Sequence, residues 1–429
     1  MKILVLSNEV WNDKINGNNV TSNWFEGIDA EFANIYCSPG EPYNKCCDRY
    51  FQITDVMMAK SIMGGAKAGK ILEYNNTSVN QSNAEEEPKR LYKFLKSISG
   101  DFMRLIRELI WLLGRYDTEA MKQFIDDFAP DIIFSERMAS VKMLRLEKII
   151  TTLTDAPLVA FTGDDEYSLW QMNFSPFFLI NRIMVRSRLR EMTKYYRIYY
   201  TLSYEQKEDY EKRFGCNMKI LQKCGKFENG YKPKKINNPL KIIYAGKFYM
   251  GRWKVLGEIA EVLNEINSEG VKAVLEIYTA DQPTKKQRKI LDDRRNSFIR
   301  GKVSQEELKN IYHNSDVALH VESRLKKYAL KTKLSFSTKI IDCIFSGCAV
   351  LAYCRNDQSG WLYLKREDAA ICVSDNKELR ESLLELTENH DMIKAYAYKA
   401  YQCGMKYHDM AEVQKHLIED FNSVIAGKI

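Results

Sequence analysis

Apolar runs of strand length recur along the chain at wide intervals. The runs "KILVLS" (2–7), "DIIFSE" (131–136) and "PLVAFTG" (157–163) are separated by long stretches of helical or loop pattern. A second series follows, with "LKIIYAGK" (240–247), "AVLEIYTA" (273–280), "SFIRGKV" (297–303), "DVALHVES" (316–323), "CAVLAYC" (348–354) and "AAICVS" (369–374). Strands spaced by helices predict parallel α/β construction, here built twice as two doubly wound, Rossmann-like domains, with ligands gathering at the carboxyl ends of the strands. Between the series, "KFENGYKPKKINNP" (226–239) is rich in Gly, Pro, Asn and Lys and reads as a linker. The expected domains are therefore 1–230 and 231–407. A last helical pattern, 408–429, is free to pack back on the first domain.

Two segments of the first half break the alternation. The stretch "YNNTSVNQSNAEEEPKR" (74–90) is polar and reads as a mobile insertion. From Arg90 to Arg115, Leu91, Phe94, Leu95, Ile98, Phe102, Leu105, Ile106, Leu109 and Leu112 fall at helical spacing, interrupted by Gly100, with Lys93, Lys96, Arg104 and Arg107 largely off that stripe. A basic amphipathic helix of this kind either lies on an anionic membrane surface or covers a core. "MNFSPFFLINRIMVRSRLREMTKYYRIYY" (172–200) is apolar, aromatic and basic, and reads as core, acceptor-side or membrane-facing surface.

Composition narrows the function classes. The net charge of +7 on 429 residues, with 64 basic and 57 acidic side chains, suggests a basic face for small anions or an anionic membrane and not a nucleic-acid coat. No run reaches about 18 consecutive apolar residues, so no segment is expected to span a bilayer. The opening "MKILVLSNE" is too short for a signal-peptide core and reads as a buried strand. The ten cysteines are scattered without a CxxC pair, which predicts neither a zinc site nor a disulfide framework and fits reduced thiols in a cytoplasm.

The candidate chemistry concentrates in "SFSTKIIDCIFSGCAVLAY" (335–353). A helix is predicted to begin at Ser337 or Thr338, both good caps, and to stop at Gly347. Its first amides, the two hydroxyls and the Lys339 ammonium would hold a phosphate, while Asp342 would accept hydrogen bonds from sugar hydroxyls. The plainer alternative is a capped helix with a solvated lysine.

"STKIIDCIFSGCAVLA" resembles the nucleotide-sugar-binding segment of the GT-B glycosyltransferases of family 4, P-x-K-x-x-E-Y-x-A-x-G-x-P-V-x-A. Lys339, Asp342, Gly347, Val350 and Ala352 fall on its positions, with Asp for Glu and Ala349 in place of proline. "GKVSQEELKNIYHNSDVALHVES" is similar to the family's preceding pattern at Gly301, Val303, Glu307, Leu308, Tyr312 and Asp316, and "YAGKFYMGRWKVL" to its glycine loop at Gly246, Arg252 and Lys254. The resemblance implies two domains facing across a cleft and a retaining, metal-independent transfer from a UDP- or GDP-sugar. No cofactor beyond that donor is implied, and no nucleic-acid partner. In the implied site Arg252 and Lys254 meet the diphosphate together with Ser337, Thr338 and Lys339. Asp342 holds the ribose, and the backbone at Val303 meets the base.

One departure stands out: the family's E-x7-E pair lacks its first member, since Leu334 lies eight positions before Asp342. Glu322, at a preceding strand end, is the candidate replacement. The first domain would bind a glycan, lipid-linked or small-molecule acceptor. Its candidates are Asp164 and Asp165, placed directly after a strand to orient or deprotonate a hydroxyl, and the loop of Gly17, Asn18 and Asn19. The implied setting is cell-surface polysaccharide synthesis in the cytoplasm, peripheral to the inner face of the plasma membrane. Two alternatives stay open, a sugar-nucleotide epimerase and a non-catalytic sugar-nucleotide-binding protein.

Overall fold

The computed structural model describes residues 1–14, 20–73, 100–137, 140–226 and 230–429. The segment 74–90, the part of the amphipathic pattern before Gly100, and the loop at Gly17, Asn18 and Asn19 lie outside the described residues. The chain forms two compact units, Met1–Leu221 with Gln414–Ile429, and Gln222–Val413.

Unit 1 contains, in chain order, β1 (Lys2–Ser7), α1 (Val20–Phe25), β2 (Glu31–Tyr36), β3 (Arg49–Gln52), α2 (Asp55–Ile62), β4 (Lys70–Glu73), α3 (Asp101–Leu113), α4 (Thr118–Phe128), β5 (Ile132–Arg137), α5 (Val141–Leu153), β6 (Leu158–Thr162), α6 (Pro176–Met192), β7 (Tyr196–Thr201), α7 (Tyr204–Phe214) and β8 (Met218–Ile220). Its sheet runs β4-β3-β2-β1-β5-β6-β7-β8, parallel except for β3 against β4. The strand order reverses at β1, which pairs with β2 on one side and β5 on the other, so the crevice that collects ligands in such sheets opens at the ends of β1 and β5.

Unit 2 contains β9 (Leu240–Ala245), α8 (Arg252–Ile266), β10 (Ala273–Tyr278), α9 (Lys285–Leu291), β11 (Ser297–Gly301), α10 (Gln305–His313), β12 (Val317–Val321), α11 (Lys326–Lys331), α12 (Lys339–Ile344), β13 (Ala349–Tyr353), α13 (Ser359–Arg366), β14 (Ile371–Val373), α14 (Asn376–Glu388) and α15 (His390–Tyr407). Its sheet is parallel throughout in the order β11-β10-β9-β12-β13-β14. The inner strands have no exposed residue because helices cover both faces, as parallel sheets require. Here the reversal is at β9 and β12.

The chain closes with α16 (Met410–Ile425). Its residues from Gln414 on count with unit 1, where Asp420 accepts from Lys219 Nζ at 2.5 Å and Tyr200 OH at 2.9 Å, and Phe421 is fully buried near the ring of Phe134. The divisions at Leu221 and Val413 differ from those placed at 230 and 407. Composition marks where a linker is polar, but the residues just before it are already tied into unit 2. Lys223 pairs with Asp342, and the Gly225 amide donates to the His408 carbonyl.

Helix α3 divides the apolar stripe between its two alternatives. Leu105 is buried, together with Glu108 and Trp111, whereas Phe102 and Leu109 of the stripe are exposed together with Leu113. Two polar contacts set this rotation. Trp111 Nε1 donates to Asp55 Oδ1 at 2.5 Å, and the Lys142 amide donates to Glu108 Oε2 at 3.1 Å.

Candidate functional site

In unit 2, β9 and β12 pair only through Val317–Ile242 and Ala318–Ile243, and the ladder stops before either strand ends. The carboxyl ends at this reversal are thus not bound to each other, and side chains meet there. Asp316 ties the other end, accepting from the Lys241 amide at 2.7 Å and from Asn237 Nδ2 at 3.0 Å. Its place in the motif is therefore a structural one.

After β9 the chain passes Gly246, then reaches left-handed Met250 (φ 54°) and Gly251 (φ 79°), and enters α8 at Arg252. Gly246 makes room for a close approach: a Cβ there would fall on Lys339 Nζ and lie 2.7 Å from Tyr244 OH, so a side chain here would displace the ammonium. The glycine loop and α12 therefore meet at that ammonium, which also sits 5.8 Å from the Tyr244 ring centroid. Arg252, at the first position of α8, points Nη2 to Glu322 Oε1 at 2.5 Å and Nε to Oε2 at 3.0 Å, a bidentate pair with both side chains largely buried. Glu322 follows β12 two residues after His320, so the two share a face of that strand.

The charges of this cluster press on one another. Burial, and then the Arg252 charge, push the Lys339 ammonium down to about 8 from an ordinary 10.5. Burial together with Arg252 and Lys339 pushes His320 down to about 3, so this histidine is neutral at physiological pH. Glu322 offsets the positive charge only in part. A site that desolvates two cations against one carboxylate favours a further anion.

The remaining motif residues divide. Asp342 holds Lys223 Nζ through Oδ1 at 2.7 Å and keeps its side chain about one-third exposed, which leaves Oδ2 accessible. Val303 is half-buried in the loop between β11 and α10, just before a capping box formed by Ser304 and Glu307. Thr338 stands at the predicted N-cap of α12, but neither its hydroxyl nor that of Ser337 makes the capping hydrogen bond. No side chain caps α12, and the Ile340 and Ile341 amides are taken by the Ser337 and Thr338 carbonyls at 3.0 and 3.2 Å. The helix ends at Ile344, three residues short of Gly347, whose φ of 69° makes the turn into β13. Lys254 follows Arg252 by two positions in α8. It lines a neighbouring cavity whose wall includes none of Arg252, Glu322, Lys339 or Asp342.

In unit 1, Asp165 is turned inward. Its Oδ1 accepts from the Tyr167 and Ser168 amides at 3.1 and 3.0 Å and from Tyr210 OH at 3.2 Å, which organises the loop after β6. Asp164 is exposed, and its carbonyl accepts from Gln206 Nε2 at 2.8 Å. Glu136 was missed by the sequence reading. It stands next to last in β5, opposite Ser7 of β1, at the reversal of the sheet, and accepts a hydrogen bond from Thr21 Oγ1 of α1. Burial raises its carboxyl above the ordinary range, with Thr21 opposing. The run "DIIFSE" already ended on it, but that β5 borders the reversal is a fact of topology.

Residues 266–419 match a family model described as glycosyl transferase-like. No curated protein matches the sequence. Among solved structures, sucrose-phosphate synthase from Thermosynechococcus elongatus is similar over 100% of both chains, with TM-score 0.58 and 11% identity. HepE from Anabaena in complex with UDP gives TM-score 0.60 and 11% identity over 99% of this chain and 100% of that one. TarM gives TM-score 0.62 and 12% identity over 98% and 99%. At such identities the likeness establishes the fold. The chain has the GT-B fold of glycosyltransferases, and the segment that matches the glycosyl transferase-like model lies almost wholly in unit 2.

Proposed function

We propose that the protein is a glycosyltransferase whose second unit holds a nucleoside-diphosphate sugar. The observation that carries this reading is the Lys339 ammonium seated against Gly246, with the Arg252–Glu322 pair beside it, at the reversal of the sheet. Cleaving the bond between sugar and diphosphate develops negative charge on the leaving phosphate, and a preorganised, partly desolvated cation stabilises that charge most where it develops. Lys339 and Arg252 supply the charge. Asp342 Oδ2 receives ribose hydroxyls, the backbone at Val303 flanks the base, and Glu322 holds Arg252 in place while facing the donor sugar. In unit 1, Asp164 and Glu136 are the acids available to an acceptor hydroxyl. Retention of configuration and a transfer that draws on these cations without a divalent metal belong to the same proposal and rest on the motif resemblance.

The structurally similar Anabaena protein was solved with UDP, which makes UDP the first nucleotide to test. UDP, GDP and ADP, with and without a sugar, should be screened by thermal unfolding. A cognate nucleotide at about 100 times its Kd should stabilise the fold by about 2.7 kcal/mol. Lys339→Gln should weaken it at least tenfold, the cost of about one charge-assisted hydrogen bond. No stabilisation by any of the three would sink the donor-site reading.

For the acceptor we propose a glycan or lipid-linked substrate of cell-surface polysaccharide synthesis, met at an anionic membrane. On unit 1, α3 and α6 pack together, and their outer faces present Phe102, Leu109, Leu113, Phe177, Ile180 and Ile183, with Phe102 and Phe177 in ring contact at 4.9 Å. Phe174, ahead of α6, is 82% exposed, and Arg104 and Arg190 stand exposed on the same two helices. Apolar area flanked by arginines suits anionic headgroups above acyl chains. Among the described residues no helix is long and apolar enough to cross a membrane. Co-sedimentation with phosphatidylglycerol-containing vesicles, lost in Phe177→Ser/Ile183→Ser and absent with pure phosphatidylcholine, is the expected result. Equal sedimentation of wild type and variant would remove this face from consideration.

A further inference from the structure

Next to the diphosphate cluster, and separate from it, a cavity of about 450 Å³ opens at the carboxyl ends of β12, β13 and β14. Lys254, Arg324 and Arg355 line it against a single acid, Glu258, with Ser323 and Ser374 contributing hydroxyls. The acid is already matched, because Arg324 Nη1 donates to Glu258 Oε2 at 2.6 Å, to Asn376 Oδ1 at 2.9 Å and to Tyr353 OH. Arg324 Nε and Nη2 have no acceptor among the described residues. Arg355 is held by Asp357 through Nε at 2.9 Å and Nη2 at 3.1 Å, which leaves Nη1. Lys254 rests 5.7 Å from the Trp253 ring centroid and has no carboxylate partner among the described residues.

Three cations with unused N–H donors therefore converge on one recess whose only acid is neutralised. The volume falls within the range of small-molecule sites and accommodates a monosaccharide. Planar guanidinium groups pair bidentately with phosphates and carboxylates, and these charge-assisted bonds are stronger than those to a neutral sugar hydroxyl. We propose that this cavity binds the phosphate or carboxylate of an anionic sugar, at a subsite distinct from the cluster around Lys339. The oxyanion is carried either by a free ligand, such as the acceptor, or by the donor's own sugar.

The test is calorimetric titration of protein saturated with UDP, which occupies the diphosphate cluster, using inorganic phosphate, glucuronate and neutral glucose as probes. Phosphate and glucuronate should bind and glucose should not. Arg355→Gln and Lys254→Gln, each checked for an unaltered thermal unfolding transition, should weaken the anions about tenfold or more. In a second arm UDP-glucuronate is compared with UDP-glucose. A preference for the glucuronate donor that disappears in Arg355→Gln assigns the anion to the donor, whereas glucuronate binding on top of UDP assigns it to a separate ligand. Anions that bind no better than glucose in both arms, or that bind with no loss in either variant, overturn the proposal. Should UDP itself fail to bind, the donor reading falls, and the same titration without UDP still decides the cavity.

Discussion

A lysine held beside an arginine titrates where most lysines do not, and this makes Lys339 a reporter of the site. With its ammonium pushed down to about 8, the group is charged below that pH and largely neutral above it. A diphosphate prefers the charged form and therefore raises the value in the complex. UDP affinity should be flat up to about pH 8 and then fall, approaching tenfold per unit until the value of the complex is reached. In the free protein the sign is opposite: between about 8 and 10.5 the unfolded chain holds the proton and the folded chain does not, so this residue's contribution to stability rises with pH. Glu322 partly supports the charge on Lys339, so Glu322→Gln should move the affinity midpoint to lower pH. Titrations from about pH 6.5 to about pH 9.5 check both statements, and an unmoved midpoint in the variant would refute the second. Motif reading picked out Arg252, Lys339 and Glu322 singly. The pairing of Arg252 with Glu322 was not legible, because the two lie 70 positions apart and only the parallel sheet brings their strand ends together.

Among the elements, the inner strands β12 and β13 of unit 2 were legible as apolar runs because helices cover both faces, so burial leaves no polar alternation to confuse them. Unit 1 hides more. "MNFSPFFLINRIMVRSRLREMTKYYRIYY" holds two elements, α6 and then β7; Pro176 marks the start of the first, but no glycine or proline marks the break at 193–195. The short helix α12 starts where its hydroxyls advertised, with Thr338 at the N-cap, but backbone carbonyls took the amides that the side chains were expected to cap. The loop between β9 and α8 carries a sharper test. Gly246→Ala places a methyl on the Lys339 ammonium and against the Tyr244 hydroxyl, so the ammonium has to swing away from its place in the cluster. Overpacking of this kind costs about 1–3 kcal/mol. It should weaken UDP binding by at least as much as Lys339→Gln, measured by the same calorimetry. Full affinity in Gly246→Ala would show that the diphosphate does not need the ammonium where it now sits.

For the whole molecule, the alternating pattern identified two α/β halves, but it could not show that the end of the chain rejoins the beginning. That contact rests on side chains: Asp420 with Tyr200 and Lys219, Phe421 near Phe134, and Gln414 Nε2 on the Trp24 carbonyl at 3.0 Å. Deleting 414–429 uncovers the sites of Leu417, Phe421 and Val424, each worth about 1.5–3 kcal/mol when buried. Limited proteolysis of that variant should cut unit 1 first while a fragment from 222 to 413 persists. Unchanged resistance in unit 1 would contradict the assignment of these residues to it.

The same return of the chain imposes an order on synthesis. As the polypeptide leaves the ribosome, the residues that start unit 1 emerge first, yet the helix that completes it emerges after every residue of unit 2. Unit 2 is therefore able to close while its host is still open, with Phe134 and Tyr200 waiting uncovered through the translation of nearly two hundred residues. The larger hazard of aggregation during expression falls on the half that is made first.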